Sequence, residues 1–436
     1  MLMQSAVAWS QEPAGQPDAR PTGLPSKVEW TFNFDASWGT FGYANPLFTN
    51  PKDEPSQDLS SQWFEGYALP ALSGKWTSGA GELYGKISAV GERTYGSAPS
   101  LAGSDASSFH IEDLNVGWRS SVVPDSSDGH LFDVSVGRAP YQLGHGFLIY
   151  DGAGDGGSRG GYWTAPRKAF AFVVVGRFAP APHRAEIFYL DKDEVPENDT
   201  GSRLWGANYE VNIGEQSIVG VTYTKWFADE DIDPAREGLN VFNARAYTTP
   251  VQALPGLSLE VEYALEKNGE ARDSTAWTIQ GAYELTDVLW KPKLSYRYAF
   301  FEGDDVETPA DEGFDPLFQG FYDWGTWWQG EIAGEYFLSN SNLISHMVRG
   351  NLTLSDAVTS GLLFYKFTLD QPASFATGVT DRGLAIELDW YTDWTINDNF
   401  TATFVAAWAD PGNAVRQAFA RSDHFAYGMV LLAYSY

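Results

Sequence analysis

Hydrophobic and polar residues take turns along much of this chain. In "KVEWTFNFDASW", Val28, Trp30, Phe32, Phe34, Ala36 and Trp38 alternate with Lys27, Glu29, Thr31, Asn33, Asp35 and Ser37. "LSLEVEYALE" (257–266), "KLSYRYAF" (293–300) and "GLAIELDW" (383–390) repeat the pattern. A period of two puts alternate side chains on opposite faces of an extended strand. Eighteen such segments are predicted, near 27–39, 62–76, 81–95, 109–120, 131–141, 169–178, 183–190, 203–212, 216–227, 239–247, 257–266, 275–283, 293–301, 343–354, 359–369, 382–394, 400–409 and 424–436. The last, "HFAYGMVLLAYSY", sets Tyr436, Tyr434, Leu432, Val430 and Gly428 on one face and reads as a closing strand.

No apolar run approaches the ~20 residues of a spanning helix, and the longest, such as "AFAFVVV", are strand-sized. Strands can cross lipid only as a closed barrel, because every backbone group must be satisfied internally. The fold class expected is therefore an all-β, antiparallel transmembrane barrel of 18 strands, apolar outward and polar inward, spanning 27–436 as one domain. Connections alternate in length. "SGAG", "PAPH", "IGEQ", "SDAV" and "INDN" are short, whereas "PKDEPSQD", "DKDEVPENDTGS", "ADEDIDPAREG" and 302–342 are long and mostly acidic. Short periplasmic turns and long external loops are the outer-membrane arrangement, with both termini in the periplasm. Two places strain the plan. Pro70 interrupts the second strand, and "TWWQGEIAGEYF" (327–338) could be a nineteenth; the helical spacing of Trp328, Ile332 and Tyr336, and even parity, favour a folded loop there.

Composition agrees. Aromatics make up 15% of the chain, enough for interfacial girdles, and charged residues only 19%. The net charge of −29 argues against nucleic acid, and the absence of cysteine excludes disulfides and thiolate metal sites. The segment "MLMQSAVAWSQEPAGQ" reads as the tail of a secretory signal with Ala6-Val7-Ala8 as cleavage site, so 1–26 is expected to be a signal remnant and polar lead-in.

A barrel this wide holds water, so function is expected at inward positions. Strand phase predicts inward cations at Arg119, Arg177, Arg184, Arg245, Lys293, Arg297, Arg349 and Lys366, and inward anions at Glu29, Asp35, Asp133, Glu186, Glu210, Glu260, Glu262, Glu387 and Asp389. Arg297, Arg349 and Lys366, from three consecutive strands, are expected to form one basic arc, which would favour anionic solutes. The competing reading is that inward charges merely pair with one another. Two long connections are expected to fold inward. The stretch 141–168, with Asp151, Asp155, Arg159 and Arg167 in a glycine-rich frame, carries Phe147, Leu148, Ile149, Tyr162 and Trp163, which would be costly in water. Its spacing does not fit an EF-hand. The second is 302–342.

Within the latter, "FDPLFQGFYDWGTWWQGEI" followed by "LSNSNLISH" resembles a motif of the bacterial alginate-export family of outer-membrane proteins, and "VSVGRAPYQLGHGFLIYDG" resembles that family's glycine-arginine strand and loop. The resemblance implies an 18-stranded barrel passing an anionic polysaccharide. It also implies a conducting-site loop holding Asp315, Asp323, Trp324, Trp327 and Gln329, and lumen cations at Arg138, Arg297 and Arg349. The inward set is mixed in sign rather than basic, and Arg138 falls on the lipid phase of its strand unless Gly137 bulges.

Enzyme signatures are lacking. The six histidines show no metal-ligand spacing, and there is no G-x-S-x-G. His346 near Ser341 and Ser345 suggests a lipase only superficially, since its phase with Ile344 and Val348 puts it at the membrane interface. Glu260 and Glu262 could suit glycoside hydrolysis, but nothing desolvates one of them selectively. The function expected is a monomeric Gram-negative outer-membrane channel for a hydrophilic, anionic saccharide or polysaccharide. Alternatives are a selective uptake porin for small organic acids or oligosaccharides, and a lipid-modifying enzyme. No cofactor is expected beyond a divalent cation at the acidic outer loops. Expected partners are membrane lipid, lipopolysaccharide, the solute and periplasmic secretion components.

Overall fold

The computed structural model describes residues 27–47, 60–96, 98, 105–150, 152–214, 216–251, 253–320, 329–334 and 339–436. The proposed lead-in, 1–26, lies outside them, as do Asp151, Asp323, Trp324 and Trp327.

Eighteen strands follow one another in the order the alternation predicts. They are β1 (Lys27–Ala44), β2 (Ser60–Ser78), β3 (Gly81–Gly96), β4 (Ser107–Arg119), β5 (Phe132–Pro140), β6 (Ala169–Phe178), β7 (His183–Asp191), β8 (Arg203–Asn212), β9 (Ile218–Phe227), β10 (Asn240–Thr248), β11 (Leu257–Lys267), β12 (Asp273–Glu284), β13 (Lys293–Phe301), β14 (Leu343–Ser355), β15 (Val358–Leu369), β16 (Gly383–Thr395), β17 (Phe400–Pro411) and β18 (Phe425–Ser435). Each pairs antiparallel with its sequence neighbour, and β18 pairs with β1, so the sheet closes on itself. The Phe34 and Tyr436 backbones exchange hydrogen bonds of 3.0 Å at the seam.

The faces sort by chemistry. Trp30, Phe109 and Ile187 are 69%, 73% and 70% exposed on the outer wall, a cost in water that only hydrocarbon removes. This is the belt of a transmembrane barrel. Inward positions of β1, β5, β7 and β8 carry Glu29, Asp35, Asp133, Glu186 and Glu210. No helix is long and apolar enough to cross a membrane.

Two irregularities matter. β2 runs through Pro70, which pairs with Phe34 on one side, while the ladder to β3 lapses between Ala68 and Ala71. Proline has no N–H to donate, so the break falls on its account. In β5 the register slips between Gly137 and Ala139. Gly137 holds φ 127, and a Cβ there would lie 2.3 Å from the Leu114 carbonyl oxygen, so only glycine fits.

Candidate pore constriction

The connections 141–168 and 302–342 leave β5 and β13, eight strands apart in a ring of eighteen and so nearly opposite. Both enter the barrel and meet. Leu148 accepts from the Phe318 N–H at 3.1 Å, Phe318 accepts from Tyr150 N–H at 2.8 Å, and Gly146 accepts from Gly320 N–H at 2.8 Å. Ile149 and Phe318 form a parallel bridge. Gly146 permits the approach: its φ is 85, and a Cβ would lie 2.1 Å from the Gly320 oxygen. Around this seam Phe147, Phe301, Phe314, Phe170, Trp226 and Phe318 form a dry aromatic core inside the barrel. Among the described residues, Phe147, Leu148, Ile149 and Trp163 of the first connection are buried, and 314–320 of the second packs against them.

What pins these loops is a set of inward carboxylates accepting main-chain N–H groups. Glu65 on β2 accepts from Trp163 at 2.7 Å and Thr164 at 3.0 Å. Glu112 on β4 accepts from Lys168 at 2.6 Å and Ala169 at 2.7 Å. Glu387 on β16 accepts from Ile332 and Ala333, each at 2.7 Å, and Asp389 from Glu331 at 3.3 Å. The last three donors belong to one buried helical turn, Gly330–Gly334, where the sequence suggested a fold rather than a strand. A carboxylate on two N–H groups gives charge-assisted bonds, about twice as strong as neutral ones. Strand phase read Glu387 and Asp389 as pore-lining; they are buried beneath the loop instead.

The arginines are equally engaged. Arg138, Arg159 and Arg167 converge on Asp193, in the connection after β7. Burial pushes the Asp193 carboxyl up, but Arg167, Arg138 and Arg159 outweigh it and hold it below the usual range. The slip at Gly137 thus takes Arg138 off the lipid phase of its strand and brings it onto Asp193. Elsewhere Arg177 meets Glu186 at 2.5 Å, Arg184 meets Glu186 at 3.1 Å, and Arg245 meets Glu210 at 2.6 Å. Arg119 donates to Glu82 at 2.8 Å. Asp315 is taken by Arg236, a residue sequence reasoning passed over, through bonds of 2.8 and 2.6 Å. Asp155 is half-buried, and Gln329 is buried beside the helical turn.

At the tip of 141–168, His145 stacks on Tyr247 with ring centroids 3.7 Å apart. Its Nδ1 is 3.2 Å from Glu260, and its N–H donates to the Tyr247 hydroxyl at 3.1 Å. Tyr247 in turn donates to Glu262 at 2.9 Å. Tyr247 and Glu260 lie near the periplasmic ends of β10 and β11, so the tip reaches deep into the lumen.

The predicted basic arc is corrected. Arg297 and Arg349 share the lumen face, and Arg349 donates to the Tyr391 hydroxyl at 2.7 Å. Lys366 does not join them; it is exposed on the outer face with Leu362 and Phe364, directly opposite His346. The β13–β14 lumen face keeps Lys293, Arg297 and Arg349 and carries no carboxylate. The lipase suggestion also fails on geometry. Ser345 points inward, whereas His346 points outward and meets the Tyr296 hydroxyl at 2.9 Å. Among the described residues no three His, Asp or Glu side chains gather as a metal site.

No family model matches this sequence. No curated protein matches it either. Solved structures do. Acinetobacter baumannii OccAB2 superposes with a TM-score of 0.59 at 11% identity, over 93% of this chain and 98% of that one. Pseudomonas aeruginosa OpdK, solved with vanillate, gives 0.59 at 12% identity, with the same coverage of each chain. Pseudomonas aeruginosa OccK5 (OpdH) gives 0.57 at 10%, over 93% and 97%. The likeness is one of fold. It agrees with the closed 18-stranded barrel found here, and none of these structures carries the likeness toward the alginate-export family in particular.

Proposed function

We propose that this chain is a substrate-selective outer-membrane porin for a small anionic solute, a carboxylate being the best-fitting class. The observation that carries this reading is the main-chain pairing of the two inward loops at Ile149–Phe318. It places packed main chain across a lumen that eighteen strands would otherwise leave wide, which favours a small molecule over a polymer. Sign comes from the inward positions of β13 and β14, which carry Lys293, Arg297 and Arg349 and contribute no carboxylate of their own, while Glu387 and Asp389 on β16 accept main-chain N–H groups of the loop. Rows of cationic side chains offer weak successive sites to an anion, favourable enough to enter and loose enough to leave. The fold neighbour OpdK holds vanillate, itself a carboxylate, which supports the same class.

Polysaccharide export is the second reading, resting on the motif resemblance at 314–346. Planar-bilayer recordings separate the two. Anion-over-cation selectivity and block by small carboxylates, both weakened by Arg297→Ala or Arg349→Ala, support uptake. Block by uronate oligomers at lower concentrations than by monomeric carboxylates supports the polymer channel, and cation selectivity in the native protein refutes both.

A further inference from the structure

The outer wall is asymmetric in charge. Reading outward positions strand by strand, every described lysine and arginine on the lipid face lies within four residues of a strand's extracellular end: Arg93, Arg203, Lys225, Lys267 and Lys366. The periplasmic rim of the belt carries only uncharged or histidine side chains at the equivalent positions, such as Trp30, Trp76, Trp118, His183 and Trp394. Three of the five cations cluster. Lys225 pairs in register with Trp205 on β8 and Asn240 on β10, and Asn240 pairs with Lys267 on β11. Arg203 stands two residues along β8 from Trp205, on the same face. With neighbouring strands about 4.8 Å apart, Lys225 and Lys267 root about 10 Å from each other.

Directly below this row, toward the middle of the membrane, the wall is hollowed. A groove of about 520 Å³ runs across β8–β11, lined on the lipid face by Ala207, Val221, Tyr223, Phe242, Ala244 and Tyr263. Alanines 207 and 244 form the floor because they are the small residues between large ones. Tyr223 builds the wall, with its ring 5.5 Å from Trp205 and 5.1 Å from Phe242, and its hydroxyl donates to Asn240 at 2.8 Å. The volume is within the roughly 300–1,000 Å³ of small-ligand sites, and the lining is apolar.

We propose that this groove and its cationic lip are a binding site for one phosphorylated glycolipid of the outer leaflet. An acyl chain fills the groove, and phosphate contacts Lys225, Arg203 and Lys267. Charge complementarity selects the occupant. A lipid without phosphate would gain nothing from three cations at one edge of an apolar groove, and the single phosphodiester of a zwitterionic lipid is offset by its own ammonium, whereas a phosphate monoester accepts charge-assisted hydrogen bonds without that competitor. Asp191, opposite Arg203, and Asp273, paired with Lys267, flank the row at its ends, so positive charge centres on Lys225. Lys225 now donates to the Gly238 carbonyl at 2.9 Å, a neutral partner that a phosphate would replace to advantage.

The test is native mass spectrometry of detergent-purified protein titrated with a bis-phosphorylated glycolipid, its dephosphorylated form and phosphatidylcholine. Expected is one tightly retained phosphorylated molecule, binding at least tenfold weaker in Lys225→Glu/Arg203→Glu and in the groove-filling Ala244→Phe, with single-channel conductance unchanged in all three. Equal retention of the dephosphorylated lipid would overturn the headgroup contact. Unaltered retention in Ala244→Phe would overturn the groove. A Lys366→Glu variant, six strands away round the barrel, should bind as the native protein does; if it weakens retention equally, the interaction is a general rim effect and the site is refuted.

Discussion

Arg236 grips Asp315 through two hydrogen bonds, of 2.8 and 2.6 Å, tying the connection after β9 to the inward loop after β13. Both side chains are nearly buried, and breaking such a pair by removing one partner costs about 3–5 kcal/mol. Asp315→Ala should therefore free 315–320 from the Ile149 seam without unfolding the barrel. Hydrogen exchange at Phe318 and Gly320 should accelerate, and single-channel conductance should rise.

The same pair sets an acid threshold. Burial pushes the Asp315 carboxyl up, but Arg236 outweighs it and leaves it below its ordinary value. A depressed folded-state pKa contributes stability in full above the unfolded value and loses it as pH falls through the folded one. The part of the loop's stability that this pair contributes should stay level from neutrality to about pH 4 and be lost only below that, read as the difference in conductance between the native protein and Asp315→Asn. In Asp315→Asn the acid step should vanish.

Glu387 is the peg for the turn at Gly330–Gly334. Glu387→Ala removes the acceptor for two buried N–H groups, each charged-group bond being worth about 1.5–3 kcal/mol. Open-channel noise should grow as the turn detaches, while far-ultraviolet circular dichroism keeps its β spectrum. Glu387→Gln, with one acceptor oxygen left, should fall between.

Gly137→Ala addresses β5. A side chain at φ 127 with its Cβ 2.3 Å from a carbonyl must force the strand apart, at a cost of order 1–3 kcal/mol or more. Urea unfolding in lipid vesicles should show a lowered midpoint, and Arg138 should lose Asp193.

His145→Ala removes the ring stacked on Tyr247 at the deepest point of the 141–168 loop. Conductance should rise and selectivity among carboxylates weaken. Tyr247→Phe, which keeps the ring and loses the hydroxyl, should alter selectivity less than it alters loop order.

The barrel was legible because lipid imposes one chemistry on alternate residues of every strand. All eighteen strands fall where the alternation puts them, and Arg177, Arg184, Arg245, Arg297 and Arg349 take the predicted face. Lys366 was misread because "LLFYKFTL" is apolar on both faces. Leu363, Tyr365 and Phe367 are buried inside the barrel, which the assumption of a wet lumen did not allow. Loop anchoring was not legible either. Glu65, Glu112 and Asp193 find partners in main chain or in arginines far along the sequence, and no local spacing records such a meeting.

The pegs also bear on how such a filter changes over generations. Glu65, Glu112 and Glu387 recognise peptide N–H groups, which nearly every amino acid supplies alike. A mutation on the inserted segments can therefore swap the chemistry presented to a passing molecule without unseating the segment. The scaffold is demanding where it holds and permissive elsewhere, so one barrel can seat segments of different side-chain chemistry by small steps.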